Sequence, residues 1–263
     1  MHDTSTLYNT LLADSNHWVE TRLSIGEIGR LITKSGDVIT FGGTSILVGA
    51  SGADAGYDES ILVSAETSTS IFASDTPEVG CCVSAEIDVE MLMPSGDIPR
   101  QARIVPYARL TNGKEYSEWI QKGVYYIDTR SVSMDSDDLQ WLTLHGYDAM
   151  LKAEMDYPSS TLSWPATDIS VVEEIADAMD VGIDQRTYDI MTWAYEVQYP
   201  GTEYSCREVL GYIAGSYGGC FVMSDEGELL LIKLNGIPAE TRYLVTPTSD
   251  HSAITFGGDR ILV

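Results

Sequence analysis

The sequence predicts an α+β protein that is mainly β, in which an antiparallel β-barrel carries an inserted α+β subdomain. From His17 to about Gly146, short segments alternate apolar and polar residues, with glycine-rich or Asp-Gly-type breaks between them. From Tyr147 to about Asn235 helical spacing dominates, and strand-like character returns after Pro238. Many short strands at regular spacing indicate a closed barrel or a sandwich. Periodicity alone does not separate the two, and we expect the barrel.

These changes of pattern divide the chain into four parts. We expect an N-terminal arm at 1–16, with a short helix over Thr6 to Ala13, and the barrel at 17–146. The α+β insert follows at 147–235. The return strands at 236–263 either complete the first barrel or begin a second one.

The clearest strand of the barrel is Cys82–Met91. Its apolar positions alternate with Ser84, Glu86, Asp88 and Glu90, which is typical of an antiparallel strand with one face buried. Pro106, in the later strand ARIVPYARL, implies an edge strand or a bulge because proline has no N–H for the ladder. Asn112-Gly113 is a hairpin turn.

The best-specified local structure is the helix and hairpin of Ser205–Leu234. Ser205 and Glu208 have the spacing of a capping box, and Gly218 and Gly219 end the helix. The apolar stripe of this helix is Val209, Leu210, Ile213, Ala214 and Tyr217. An earlier helix repeats the stripe, with a predicted capping box at Ser170 and Glu173 and an end at Gly182.

One internal echo is present. Ile39–Val48 and Ile254–Val263 share eight of ten residues around an ITFGG core. The echo is either chance reuse of a strand–Gly-Gly–strand turn or a pair of matching strands in related barrels. Because the last strand ends without a polar tail, we expect the chain to be the front part of a longer protein.

The charge balance argues against nucleic-acid binding. The chain carries 40 acidic and 15 basic residues, a formal net charge of −25. A surface of that sign repels phosphate. It suits soluble surroundings, a basic partner, or surroundings that must exclude DNA.

No catalytic, cofactor or metal site is predicted. The four histidines share no ligand spacing, and the four cysteines form no C-x-x-C pair, so we expect buried reduced thiols. Ser216 lies at a helix end, which excludes a nucleophile elbow. Glu86, Asp88 and Glu90 share one face of the predicted strand Cys82–Met91. The alternatives for this face are an acid/base pair, a calcium site or a solvated surface, and we favour the solvated surface. For Asp135-Ser136-Asp137-Asp138 we favour a polar hairpin tip over a calcium loop.

No membrane segment or signal peptide is predicted. The N-terminus lacks a basic region followed by an apolar one, and no run approaches the ~20 apolar residues of a membrane helix.

Four stretches together resemble the N-terminal portion of tail hub proteins (baseplate hub or tail-associated proteins) encoded by phages and prophages of Gram-positive bacteria. The resemblance covers about Gly29 to Val263, and its motifs carry no chemistry. The stretches are AEIDVEMLMPSGDIPRQARIVPYARL, SEWIQKGVYYIDTRS, LTLHGYDAMLKAEMDYP and SCREVLGYIAGSYGGCFVMSDEGELLLIKL.

The resemblance implies a structural, non-enzymatic virion protein of the tail tip, made in the host cytoplasm. Barrel-like tube domains of three copies are expected to close into a ring that continues the tail tube. The implied partners are two further copies, the distal tail protein ring, the tape measure protein, and tip or fibre proteins. DNA passes through the ring without specific binding. We therefore expect Glu86, Asp88 and Glu90 to line the central channel.

The sequence leaves a second class of protein open. A stand-alone secreted carbohydrate- or protein-binding β module calls for a signal peptide, and for disulfides or an exposed aromatic platform. A trimer or larger ring in solution favours the hub, and a sugar-binding monomer favours the module.

Overall fold

The computed structural model describes residues 4–26, 56–95, 98, 102–136 and 138–234 with their side chains. It describes the backbone alone at 28–30, 40–41, 44–45, 47–49, 55, 255–256 and 259–260. The helices are α1 (Thr6–Ala13), α2 (Asp168–Met179), α3 (Gln185–Ile190) and α4 (Cys206–Ser216), with a 3₁₀ helix at Ala149–Glu154. The strands are β1 (Trp18–Gly26), β2 (Ile28–Arg30), β3 (Thr40–Phe41), β4 (Thr44–Ser45), β5 (Leu47–Gly49), β6 (Ala55–Tyr57), β7 (Leu62–Ser68), β8 (Glu86–Leu92), β9 (Arg103–Thr111), β10 (Ile120–Gln121), β11 (Tyr125–Met134), β12 (Gln140–Asp148), β13 (Ala166–Thr167), β14 (Glu196–Val197), β15 (Gly219–Met223), β16 (Leu229–Lys233), β17 (Thr255–Phe256) and β18 (Asp259–Arg260).

One large antiparallel sheet dominates the first half of the chain, so the mainly β prediction is confirmed. Its strand order is β6-β1-β9-β11-β12-β8-β7, with the short β10 beside β9. The two edge strands, β6 and β7, are consecutive in the chain and only residues 58–61 separate them, so the sheet curls and brings its two edges near each other at that end. Tyr57 and Leu62, one from each edge, pack against the same core. No hydrogen-bonded β6–β7 pair occurs in the part of the chain that the structure describes, and the closed barrel stays a prediction.

The inner face of the sheet holds one hydrophobic core. The alternation predicted for β8 is confirmed, since Ile87, Val89 and Met91 are at most 1% exposed. The strand begins at Glu86 and not at Cys82. The preceding residues instead pair with β15: Gly80 N–H donates to Gly219 O and Phe221 N–H donates to Cys81 O. The segment that leads into β8 therefore joins the sheet to the α+β part.

Of the two alternatives predicted for Pro106, the edge strand is wrong and the bulge is confirmed. β9 lies inside the sheet and pairs with β1 over its whole length, with Pro106 opposite Leu23. On its other side β11 pairs with Arg103 and Ile104, and β10 pairs with Tyr107 and Ala108. Between these two partners the register shifts by one residue, because residues 105–106 of β9 face residues 122–124. Pro106 stands at this bulge, where its missing N–H leaves no ladder bond unmade.

The second core surrounds α2, α4 and the hairpin β15–β16. The predicted capping box is present, because Ser205 accepts from the Glu208 N–H and the Glu208 carboxylate accepts from the Ser205 N–H. Tyr217 caps the helix and Gly218 follows with φ +65°. Both edges of the hairpin are covered. Segment 80–82 pairs with β15, while Leu229 N–H donates to Gly182 O across β16.

The predicted capping box at Ser170 is wrong. α2 begins two residues earlier, at Asp168, and its N-cap is Thr167, whose hydroxyl accepts from the Ser170 N–H. Asp168 is buried at 1% exposure and accepts the Tyr217 hydroxyl at 2.5 Å, which fixes this first turn against α4. The helix also ends before Gly182, with Asp180 in the left-handed conformation at φ +58°.

The remaining predictions concern short elements. α1 has the predicted bounds, and the two ITFGG copies form the same antiparallel pair, Phe41 with Thr44 and Phe256 with Asp259. The strand expected over Trp193–Tyr199 is reduced to the two residues of β14. Most of RLIT and the return strands before Thr255 lie outside the described residues, and the domain limits stay a prediction.

Candidate functional site

Four carboxylates project from the outer face of the sheet on two adjacent strands. Glu86, Asp88 and Glu90 alternate on β8 with the core residues and therefore point away from the core. On the neighbouring β7, Glu66 lies directly opposite Asp88 in the register. We call Glu66, Glu86, Asp88 and Glu90 the acidic face. The structure thus brings the three predicted residues together and adds Glu66, which the sequence did not single out.

A single histidine borders the acidic face. His145 lies opposite Asp88 on β12, and its Nδ1 is 2.8 Å from Asp88 Oδ1. The Asp88 side chain is 66% exposed, so this contact sits in water and contributes little to stability. The ring of His145 also meets the ring of Tyr147 edge-on at 4.9 Å.

The carboxylates of the acidic face repel one another. Side chains directly opposite on antiparallel strands have Cβ atoms roughly 5 Å apart, and like charges there are destabilising. Glu66 and Asp88 form such a like-charged pair at an exposed position. The outward neighbours Ser64, Ser68 and Thr143 carry no charge. A phosphate backbone that approached this part of the sheet would meet several negative charges and one histidine, and electrostatics disfavours such contact.

The second acidic candidate of the sequence, which includes Asp135 and Asp138, lies at the hairpin tip between β11 and β12. Asp135 Oδ1 accepts from the Leu139 N–H at 3.0 Å, and its Oδ2 accepts from Trp141 Nε1 at 3.1 Å. Asp138 has φ +62°, as a tight turn requires. The Asp135 carboxylate therefore holds the β11–β12 turn in shape.

The described residues contain no group of three or more histidine, cysteine or acidic side chains that could hold a metal ion. His17 Nδ1 lies 2.5 Å from the carbonyl oxygen of Asp14, and His145 contacts Asp88. His2 and His251 lie outside the described residues. All four cysteines are free and buried. Within the described residues, no helix is long and apolar enough to cross a membrane.

Arg207 of α4 binds the segment that leads into β8 and the 3₁₀ helix, a role that the sequence did not predict. Its guanidinium donates to the Cys82 carbonyl, to Ser84 Oγ at 3.1 Å and to the Met150 carbonyl at 3.0 Å. Its Nε lies 2.8 Å from Glu154 Oε1, as an ion pair without the alignment of a hydrogen bond. No local pattern marks the three hydrogen-bond partners, because they are 57 to 125 residues away in sequence.

Aromatic side chains are exposed on the α+β part. Trp193, 63% exposed, stacks on Tyr217 with ring centres 5.9 Å apart, and Lys233 Nζ lies 5.4 Å from the Trp193 ring. On another part of the surface, Tyr199, Tyr204 and Tyr212 line an apolar cleft of about 330 Å³. These rings form the kind of exposed aromatic surface that the binding-module hypothesis requires.

Comparison with known proteins gave distant structural likenesses only. No family model and no curated relative matches the chain. The chain is similar to the 43 kDa tail protein of prophage MuSo2 from Shewanella oneidensis, with TM-score 0.47 and 14% identity over 82% of this chain and 56% of that one. It is similar to a tail protein from Neisseria meningitidis MC58, with TM-score 0.42 and 10% identity over 81% of this chain and 50% of that one. A Francisella PdpA-VgrG complex gives TM-score 0.40 and 6% identity over 88% of this chain and 35% of that one.

The chain thus spans between about a third and somewhat over half of the length of the solved chains that it resembles. All three TM-scores are below 0.5.

Proposed function

We propose that the chain is a structural subunit of a phage or phage-like tail tip or baseplate hub. Three copies form a ring that continues the tail tube and joins it to the tip or fibres, and DNA passes through the lumen. The proposal rests on the sequence motifs of the hub proteins that the chain resembles. The structural observation that supports it is the acidic face on the outside of a curled sheet, in which Glu86 is half-buried and the other three carboxylates are exposed.

The outward position of the acidic face suits a channel wall. In a ring built from several curled sheets, the outer surface of each sheet is the one available to line a central hole. Carboxylates on that surface would keep the DNA backbone from sticking to the wall as it slides. The apolar inner face of β8 cannot serve this purpose, because it forms the core of its own subunit.

DNA release from assembled particles tests this function. Particles would carry either the wild-type chain or a variant with Glu86, Asp88 and Glu90 all replaced by lysine. We expect the variant to assemble tails of normal length, because the three side chains face away from the core. DNA release should be slower than in wild type, and slowest at low salt, where attraction to phosphate is strongest.

A matched variant controls for added positive charge. Asp177, Asp189 and Glu203 are exposed acids of the α+β part, and their replacement by lysine changes the net charge by the same amount. This control should release DNA at the wild-type rate. Equal release rates for both triple variants would contradict a lumen role of the acidic face. Immunogold labelling away from the tail tip would contradict the hub assignment itself.

A stand-alone carbohydrate- or protein-binding module is the second candidate, and the exposed Trp193, Tyr199 and Tyr212 favour it. Aromatic rings bind flat apolar surfaces and cations through their faces. Calorimetric titration with cell-wall polysaccharide fragments tests this candidate. Binding that is lost in Trp193→Ala or Tyr212→Ala, by a protein that remains a monomer, would support the module over the hub.

A further inference from the structure

We propose that Cys81 and Cys220 form a thiol–disulfide site, in which a small disulfide oxidant joins the two side chains while Cys82 and Cys206 stay reduced. The two cysteines are 139 positions apart in the chain, and no sequence spacing pairs them. This inference is independent of the tail function.

The backbone brings the two residues side by side. Segment 80–82 runs parallel to the first residues of β15, with Gly80 N–H donating to Gly219 O at 2.7 Å and Phe221 N–H donating to Cys81 O at 3.0 Å. Cys82 forms a parallel bridge with Phe221, so Cys81 and Cys220 are the preceding residues of the two paired segments. Neighbouring strands lie about 4.8 Å apart. That spacing falls in the range of roughly 4.4–6.8 Å between Cα atoms that a disulfide spans.

The two sulfur atoms also converge on one acceptor. Cys81 Sγ lies 3.7 Å from the carbonyl oxygen of Glu78, and Cys220 Sγ lies 3.4 Å from the same oxygen. Both side chains therefore point to the same side of the paired segments. The other two cysteines are placed differently: Cys82 belongs to the core around α2 and α4, and Cys206 Sγ faces the carbonyl of Asp156 at 3.9 Å.

A groove gives small reagents a route to this site. It has a volume of about 720 Å³, and Val79, Cys81, Gly211 and Tyr212 are among its lining residues. Cys81 lies in the groove wall with 7% of its surface exposed, while Cys220 is fully buried behind it. Of this pair, Cys81 is therefore the thiol that an oxidant meets first, and Cys220 is the thiol that completes the bond. Cys82 also lines the groove, at 6% exposure, but it packs in the core around α2 and α4.

The chemistry is thiol–disulfide exchange with a low-molecular-weight disulfide such as oxidised glutathione. The Cys81 thiolate attacks one sulfur of the oxidant, the oxidant's S–S bond breaks, and one glutathione leaves as a thiolate that takes up a proton. The Cys220 thiolate then attacks Cys81 Sγ and expels the second glutathione. The protein loses two protons and two electrons, and the oxidant is reduced to two glutathione thiols. Burial raises the pKa of the Cys81 thiol, so the reaction should accelerate as the pH rises toward that pKa.

The disulfide would tie the segment that leads into β8 to the hairpin of the α+β part. It would close a long loop, and cross-links that close long loops stabilise most in the chain-entropy account. The oxidised protein should then resist unfolding more than the reduced one, because a covalent bond as well as Arg207 holds the segment that leads into β8 to the α+β part.

The test is mass spectrometry of the native full chain after incubation with oxidised glutathione, followed by alkylation of the remaining thiols. We expect the protein to lose the mass of two hydrogen atoms, to keep two alkylatable thiols, and to yield one cross-linked peptide pair containing Cys81 and Cys220. The midpoint of urea unfolding should rise on oxidation and fall back with a reductant.

Matched variants complete the test. Cys82→Ala should still form the cross-link, and Cys81→Ala and Cys220→Ala should each lose both the cross-link and the rise in midpoint. Four alkylatable thiols in the treated wild-type chain would overturn the proposal. So would a cross-link through Cys82 or Cys206, or an accumulated mixed disulfide at Cys81 that Cys220 does not resolve.

Discussion

Two hydrogen bonds join Asp148 to Ala85. The Asp148 N–H donates to the Ala85 carbonyl at 2.9 Å, and the Ala85 N–H donates to Asp148 Oδ2 at 2.9 Å. The other oxygen of the carboxylate accepts from the Met150 N–H at 2.9 Å and begins the 3₁₀ helix. This one side chain, 5% exposed, therefore fixes the start of β8 and the exit from β12 at the junction of the two cores.

The buried Asp148 carboxyl makes stability depend on pH. Burial raises its pKa from the ordinary 3.8 to about 6, against the lowering effects of the two N–H donors and of Arg207. Between these values the folded chain holds a proton that the unfolded chain has lost, so this contribution to stability is complete below the lower value and disappears as pH rises through the upper one. A shift of this size corresponds to about 3 kcal/mol.

Asp148→Asn isolates that contribution. Asparagine keeps one oxygen acceptor and does not titrate. Its contribution to the free energy of unfolding should therefore not change with pH. Urea unfolding of both proteins should show the wild-type advantage shrinking by about 3 kcal/mol from about pH 4 to pH 7. A difference that is constant with pH, or that grows as pH rises, would contradict the burial effect.

Replacing Arg207 should lower the free energy of unfolding more than replacing most other polar residues does. Arg207→Ala leaves the carbonyls of Cys82 and Met150 without this donor, and we expect a loss of about 2–4 kcal/mol in the free energy of unfolding. Lys114→Ala is the control. Lys114 is an exposed cation at the turn after β9, so its loss should cost about 0.5 kcal/mol or less. Equal costs in chemical denaturation would show that Arg207 does not clamp the junction.

Two glycines of α4 should respond oppositely to alanine. A Cβ at Gly211 would lie 2.7 Å from the backbone oxygen of Gly80, whereas a Cβ at Gly215 would meet only the Gly80 Cα, at 4.0 Å. We expect Gly211→Ala to destabilise by about 1–3 kcal/mol through overpacking. Gly215→Ala should gain up to about 1 kcal/mol from helix propensity. Thermal unfolding of the two variants checks the close approach of segment 80–82 to the helix, and similar shifts for both would argue against it.

The apolar stripe of α4 is tested by a pair of aspartates. Leu210 is fully buried, and Leu210→Asp should destabilise the α+β core by at least about 3–5 kcal/mol by burying an unpaired charge. Tyr212→Asp on the same helix places the charge where the side chain is already 67% exposed, and should leave the fold intact. Circular dichroism and urea unfolding separate the two. A folded, stable Leu210→Asp variant would mean that the stripe is assigned to the wrong face.

Local patterns predicted local structure well. The alternation of β8 and the capping box at Ser205 depend on neighbouring residues, and the structure shows both. The start of α2 shows where this reasoning ends. Thr167 and Ser170 are both acceptable N-caps in sequence, and the choice depends on Asp168, which bonds to Tyr217 from a distant helix.

Long-range pairing was not predictable from the chain alone. The chemistry of Pro106 allows an edge strand or a bulge, and only the register of β10 and β11 against β9 shows that it stands at a bulge inside the sheet. Of the candidate site, the alternation predicted the outward set Glu86, Asp88 and Glu90. Only the register of β7 and β12 adds Glu66 and His145, because strand pairing places them beside Asp88.

The most direct measurement of the central proposal is an electron cryo-microscopy reconstruction of the assembled protein on its tail, resolved to side chains. The proposed hub predicts three copies in a closed ring around a channel, with Glu86, Asp88 and Glu90 on the inner wall. The same three side chains on the outer surface of the ring, around a basic lumen, would contradict it.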